Sequence, residues 1–375
     1  MTQPPAILIS EIGELMNQSL GLQSLVMISV IVALGGCSNK APVAAFSSTA
    51  PETVIAPSSA DIPEFRVNSV LVKNGSIYVS HQKGLSISSD SGTTWTTYKL
   101  GCTYPGAGCL NGGVSSTVVT DQGHIFVGVM GGVSYSQDGG QHWTKPQIGE
   151  NMTLGDVATG LHTDGRFVYA SLGNLAQGAT GYIVFDDLEP ENGFTHKYVS
   201  GNAEIVPIGQ SLFNLNFDED LVYGGALMRQ VGGGSWQTIS PADFTLNSDI
   251  AVSLVAAGSN LVLSSFKGVY VSSDNGSTWT KKTPMTGYAG TLTYNGQRLY
   301  VVSTSLNSSD GLLYLHVFYS DDQGATWNIL SIAGLDSFNY NDNGLSAEGQ
   351  LLFMGSGAGG VAISTDGGAN FRVVQ

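Results

Sequence analysis

Two kinds of side chain in this 375-residue chain could do chemistry, its carboxylates and its arginines. Two carboxyl groups at a suitable separation hydrolyse a glycosidic bond. A guanidinium fork binds a substrate carboxylate through two parallel hydrogen bonds. The carboxylates placed on connecting segments are Asp156, Glu204, Asp243, Asp249, Asp310 and Asp336; the arginines are Arg66, Arg166, Arg229, Arg298 and Arg372. With 29 Asp and Glu against 14 Lys and Arg, acidic loops are ordinary here, and solvated turn residues are the plainer reading of each carboxylate. His124, His142, His162, His196 and His316 follow no metal-ligand spacing, so neither a metal nor a cofactor is expected. Residues suited to binding without reaction are His81, Tyr104, Phe266, Tyr288 and Tyr340, each with loop packing as its alternative role.

The elements that would position these groups are set by a repeat. SSDSGTTW (Ser88, Asp90, Gly92, Thr94, Trp95) returns as SQDGGQHW (Ser136, Asp138, Gly140, Trp143), SSDNGSTW (Ser272, Asp274, Gly276, Trp279) and SDDQGATW (Ser320, Asp322, Gly324, Trp327). A last copy, STDGGANF, carries Ser364, Asp366, Gly368 and Phe371. Ser and Asp accept hydrogen bonds from the N–H groups of a tight turn, Gly supplies a positive φ, and the aromatic ring turns inward to pack. These carboxylates are structural, not catalytic. The pattern S-x-D-x-G-x-x-W/F resembles the Asp-box, or BNR repeat, of sialidase-type β-propellers.

The Asp positions give a period of 48 residues between Asp90 and Asp138 and between Asp274 and Asp322, and 44 from there to Asp366. The 136 residues from Asp138 to Asp274 hold three such steps, so two degenerate copies belong there. One lies near Asp186 and Asp187, with Phe194 in the aromatic place; the other is RQVGGGSW, with Arg229, Val231, Gly233 and Trp236 at the fixed points. Seven units of about 45 residues fill Pro63 to Gln375, the length of a four-stranded blade. Strand-like alternation through Ile77 and Val79, and a hairpin signal at Asn74-Gly75, fit this. The expected fold is all-β, a single seven-bladed β-propeller of four-stranded antiparallel blades.

Antiparallel order then separates two faces. The repeated turn joins the third and outer strands, so it shares a turn face with the short hairpins between inner and second strands. The other, the loop face, carries the variable segments 102–109, 171–181, 281–290, 303–312 and 331–344, and a binding site is expected there. How the ring closes is open; residues 62–66 could add to the seventh blade.

The N-terminus reads as an export signal. Leu25 to Gly36 is a 12-residue apolar run, too short for a typical span, and Leu34-Gly35-Gly36-Cys37 resembles a bacterial lipobox. No Lys or Arg precedes the run, a departure that a start at Met16 would explain. The expected organisation is a signal peptide over 1–36, a lipidated Cys37 and Ala/Pro/Ser tether over 37–61, and the propeller over 62–375. Cys102 and Cys109 close a short Pro/Gly loop; in an exported chain a disulfide is expected, with two free thiols as the alternative. A net charge of −15 argues against nucleic acid as partner. A monomer in the cell envelope, touching the membrane through its lipid alone, is expected.

The sialidase resemblance implies three arginines around the substrate carboxylate, a Tyr nucleophile with a Glu partner, and an acidic Asp. Phe65, Arg66, Val67 and Asn68 stand where that family has a Phe-Arg-Ile-Pro-like motif, without its Pro. Arg166 and Arg298 follow hairpins of the turn face, Arg229 lies in a degenerate repeat and Arg372 in the last outer strand, which leaves the clamp without its second and third members. The chain is also similar in size and architecture to the photosystem II assembly-factor propellers, but lacks their basic patch. The reading is non-catalytic binding of a glycan or protein ligand through the loop face, with a glycoside hydrolase and an envelope scaffold as the alternatives.

Overall fold

The computed structural model describes residues 58–59, 66–100, 113–129, 132–143, 156–174, 181–192, 194–198, 204–215, 226–242, 249–282, 288–306, 313–330, 340–356 and 360–374. They form seven antiparallel sheets in chain order, a seven-bladed β-propeller. From inner to outer strand, the first blade is Val67–Lys73, Ser76–His81, Gly84–Ser88 and Trp95–Tyr98. The fifth is Ala251–Ala257, Asn260–Ser265, Gly268–Ser272 and Thr280–Lys282, and the seventh is Tyr340–Glu348, Leu351–Ser356, Val361–Ser364 and Arg372–Val374. Three strands of the second blade lie among the described residues.

Each blade is covered on both faces by its neighbours, so its second strand reads as a near-continuous apolar run. Ile77-Tyr78-Val79, Ile125-Phe126-Val127, Leu261-Val262-Leu263 and Leu352-Phe353-Met354 are all buried. Their side chains interleave with those of the adjacent blade, as where Val262 and Val271 meet Leu292, Val301 and Trp327. The inner strands are less regular. In the first, second, third, fifth, sixth and seventh blades the pairing of inner and second strands slips near the loop face. Such bulges bend a strand and re-aim its side chains.

Among the described residues the ring closes without strand exchange: the seventh blade takes all four strands from the C-terminal part of the chain and its inner strand packs against Val67–Lys73. The joint is made by side chains. Val67, Ile77 and Trp95 share a cluster with Phe353 and Ile363, Val72 N–H donates to Ser346 Oγ at 3.0 Å, and the Arg372 guanidinium donates to the Ser91 carbonyl. Ser58 and Ser59, within the segment read as a tether, pair with Thr96 and Trp95 as a fifth, outermost strand of the first blade. The pairing that is seen therefore joins this segment to the first blade; residues 62–65 lie outside the described residues.

Several loops are shorter than the sequence suggested. Residues 171–174, 303–306, 288–290 and 340–344 belong to the strands Phe167–Asn174, Leu299–Leu306, Tyr288–Tyr294 and Tyr340–Glu348. Tyr288 and Tyr340 accordingly open the inner strands of the sixth and seventh blades.

Candidate functional site

On the loop face, the hairpin after the second strand of the first blade is held by His81, which is fully buried. Its Nδ1 accepts from the N–H of Lys83 at 3.2 Å, so the neutral ring carries its proton on Nε2, which faces Ser86 Oγ at 2.9 Å. Ser86 in turn meets Thr97 Oγ1 at 2.8 Å. A histidine that activates a serine needs an unprotonated nitrogen toward the hydroxyl; this one has the opposite tautomer. Burial, followed by the nearby Lys83 charge, lowers its pKa to about 4.

The same hairpin of the fifth blade is held by Asp249, also buried. Its carboxylate accepts from Ser265 Oγ (2.9 Å), Ile250 N–H (3.0 Å), Lys267 N–H (3.1 Å) and Tyr270 OH (3.2 Å). Burial raises its pKa, against those hydrogen bonds, which lower it. Half-buried Phe266 sits at this hairpin's tip. Glu204 is engaged separately, by His162 Nε2 at 3.1 Å. Asp156 begins the inner strand of the third blade. Cys37, Cys102, Tyr104, Cys109, Asp243, Asp310 and Asp336 lie outside the described residues.

Four of the five arginines are on the other face. Arg166 forks onto Asp186 (3.0 and 2.6 Å) and covers the Phe167 ring, and Arg298 forks onto Asp321 (2.6 and 3.1 Å) and covers Tyr319. Arg229 donates to the Asn275 carbonyl and Arg372 to that of Ser91, both within repeated turns. Only Arg66, half-buried, stands at the loop-face end of an inner strand, where its carbonyl accepts from Gln82 N–H.

The five intact turns share one geometry. In the first, Ser88 Oγ accepts from Gly92 N–H and donates to Asp90 Oδ1, both at 2.8 Å, and Asp90 Oδ1 accepts from Thr94 N–H at 2.8 Å. The second oxygen of each Asp is held by the side chain before the aromatic residue, namely Thr94, His142, Thr278, Thr326 and Asn370. Polar residues recur at that place in the sequence, Thr94 among them, but the repeat alone does not announce their contact with the Asp. The bonds hold Asp90, Asp274 and Asp366 at pKa values of about 2. Asp138 is likewise near 2, with burial opposing its hydrogen bonds to His142 and Ser136.

The turns are also joints between blades. A methyl group on Gly92 would lie 2.5 Å from Ile363, on Gly140 2.9 Å from Tyr98, on Gly276 2.6 Å from Ile239, on Gly324 3.0 Å from Val271, and on Gly368 2.7 Å from Leu330. Each contact falls on the preceding blade, and that of Gly92 falls on the seventh. The degenerate copy of the third blade uses another device: buried Asp187 meets His124 Nδ1 of the second blade at 2.8 Å.

Fold and site together define the class, a seven-bladed β-propeller whose turn face is locked by hydrogen bonds. No protein-family model and no curated protein matches the chain. Solved structures do. PorZ, a surface component of the type-IX secretion system of Porphyromonas gingivalis, superposes with a TM-score of 0.57 at 12% identity over 85% of this chain and 39% of its own. The extracellular domain of the putative hybrid two-component system BT3049 of B. thetaiotaomicron gives 0.60 at 11% identity, over 85% of this chain and 42% of its own. YCF48 from Cyanidioschyzon merolae gives 0.56 at 14% identity, over 82% of this chain and 98% of its own. The chain spans about two fifths of PorZ and BT3049. At these identities the likeness shows the fold.

Proposed function

We propose that the chain is an exported Asp-box propeller, lipid-anchored at Cys37 and monomeric in the cell envelope. It binds a glycan or protein ligand through its loop face without catalysis. The observation that carries this reading is where the reactive-looking groups are used. Four of the five arginines support the turn face, and His81 and Asp249, the best-placed loop-face candidates for acid–base work, are buried in hairpin-holding hydrogen bonds. What this leaves for the loop face is a rigid rim that presents hairpin tips, as binding scaffolds do. Phe266, Tyr104, Tyr288 and Tyr340 are the proposed contact residues, with His81 supporting the Gln82–Lys83 tip from beneath and a Cys102–Cys109 disulfide bracing the loop that bears Tyr104. An envelope location accords with a surface component and an extracellular domain among the structural neighbours.

The test incubates the chain, without its leader and with Cys37→Ser, on a glycan array and analyses the same wells by mass spectrometry for released sugars. Retention without release, weakened by Phe266→Ala, is the expected result. Released monosaccharide or oligosaccharide would overturn the non-catalytic reading. Neither retention nor release assigns the face to a protein ligand, which pull-down from envelope extract with the same Phe266→Ala control then tests.

A further inference from the structure

The two faces use their cations differently. On the turn face every lysine and arginine among the described residues is engaged: Lys73, Arg166 and Arg298 with carboxylates, Arg229 and Arg372 with carbonyls. Lys267, Lys281 and Lys282 of the fifth blade have no ion pair among the described residues. In a chain with 29 Asp and Glu against 14 Lys and Arg, three such lysines on one blade stand out.

Two of them meet at the loop-face hairpin. Lys267 is exposed at its tip, beside half-buried Phe266, and Lys281 is exposed on the outer strand. A methyl group on Gly268 would lie 3.5 Å from Lys281 Cε, so the Lys281 stem runs along the end of the hairpin. Its Nζ stands 5.4 Å from the centre of the buried Tyr270 ring, a cation–π contact that steadies the ammonium. Lys282 pairs with Val269 and Lys281 with Tyr270, so Lys282 points to the opposite side of the sheet.

The tip that carries these groups is fixed from beneath. Buried Asp249 accepts from Lys267 N–H and Tyr270 OH, and Phe266 N–H donates to the Ile250 carbonyl at 3.2 Å. The carboxylate of Asp274 lies at the other end of the strand Gly268–Ser272, whose five residues span about 17 Å. Physiological salt screens exposed charges beyond about 8 Å, so the acidic turn face does not cancel the hairpin lysines.

We infer that this corner is an anion site on the loop-face rim, and that the ligand it takes is an acidic glycan bearing uronate groups. The inference rests on the loop-face binding reading above and narrows it to one ligand class. Phe266 offers a ring edge to a sugar, and Lys267 and Lys281 take carboxylates. A lysine ammonium is a compact point charge with rotatable donors, which suits repeated acid groups along a chain better than one planar group held in a fork.

Fluorescence anisotropy on the soluble chain of the array test, with labelled hexagalacturonate, its methyl ester and hexaglutamate, tests the assignment. Hexagalacturonate is expected to saturate, with affinity that falls as salt is added, and the other two to show no binding. Lys267→Gln and Lys281→Gln should each weaken hexagalacturonate by roughly tenfold. Lys99→Gln, at an exposed lysine on the loop-face end of the first blade, should leave it unchanged. Equal binding of acid and ester, both lost in Phe266→Ala, overturns the acidic class and leaves the loop-face reading standing. Equal weakening by Lys99→Gln, or hexaglutamate binding as tightly as hexagalacturonate, overturns the corner as a uronate site. Absence of saturation by hexagalacturonate up to about 1 mM also overturns the proposal; retention of other glycans on the array would then keep the loop-face reading, and their absence would not.

Discussion

Glu348 of the seventh blade accepts the backbone N–H of Gly75 in the first at 2.9 Å, and its other oxygen accepts that of Asn74 at 3.0 Å. One side chain thus spans the meeting point of the two ends of the ring, above the buried bond from Val72 N–H to Ser346 Oγ. The two should differ in cost. Removing Glu348 leaves N–H groups that water can reach, and Glu348→Ala is expected to cost about 1 kcal/mol. Ser346→Ala strands a buried donor at the same joint and should cost about 2 kcal/mol. Urea melts of the two variants check the order, and a smaller loss for Ser346→Ala would contradict a side-chain-locked closure.

The glycines of the repeated turn are constrained twice, by positive φ and by contact with the preceding blade. Gly276 has φ 85° and lies under Ile239, so Gly276→Ala should cost roughly 2–3 kcal/mol from strain and crowding together. Gly233 occupies the matching place in the fourth blade with φ 75° and open space around it, so Gly233→Ala should cost only the backbone part, about 1 kcal/mol. Equal losses in thermal melts would show that the fourth turn is not free of the third blade.

How much of this was legible follows from the kind of constraint. The Ser, Asp and Gly of the repeated turn each do a local job within eight residues, so five blades and their period could be read directly. Trp236 and Phe194 marked the degenerate copies because an aromatic ring must still pack there. What replaced the lost contacts was not legible, since His124 and Asp187 stand 63 positions apart and neither belongs to a repeated pattern. Tyr288 and Tyr340 read as loop residues because the inner strands slip register near the loop face, which interrupts the alternation that announces a strand. For His81, binding and loop packing stayed open in the sequence, because its place in the first blade is taken by Ser265 in the fifth, and the structure buries both.

The repeated turns should make stability fall in strong acid. Asp90, Asp138, Asp274 and Asp366 have folded pKa values of about 2, held down mainly by hydrogen bonds to the ionised form. An unfolded Asp titrates near 3.9. A depressed folded pKa means stability that is complete above the unfolded value and lost as pH falls through the folded one. The denaturation midpoint should therefore drop between about pH 4 and pH 2. Replacing Asp274 with Asn should lower the midpoint at pH 7 and make the acid-side drop shallower. An unchanged drop would show that this carboxylate takes no part in it.

His81 predicts a separate loss at milder pH. Its ring is buried and neutral, with a folded pKa of about 4, whereas an unfolded histidine takes up its proton near 6.5. Below the unfolded value the unfolded chain binds the proton that the folded chain refuses, so stability declines from about pH 6.5 toward pH 4 and levels off below. The full span corresponds to on the order of 3 kcal/mol. His81→Gln can still donate to Ser86 and accept from Lys83, but it has no proton to gain. Its stability at pH 7 should lie below that of the parent by about 1 kcal/mol or more, and the decline across this window should shrink. Urea melts at half-unit steps from pH 7.5 to 4 measure both quantities. An unaltered slope in the variant would move the titrating group elsewhere and leave His81 with its hairpin role alone.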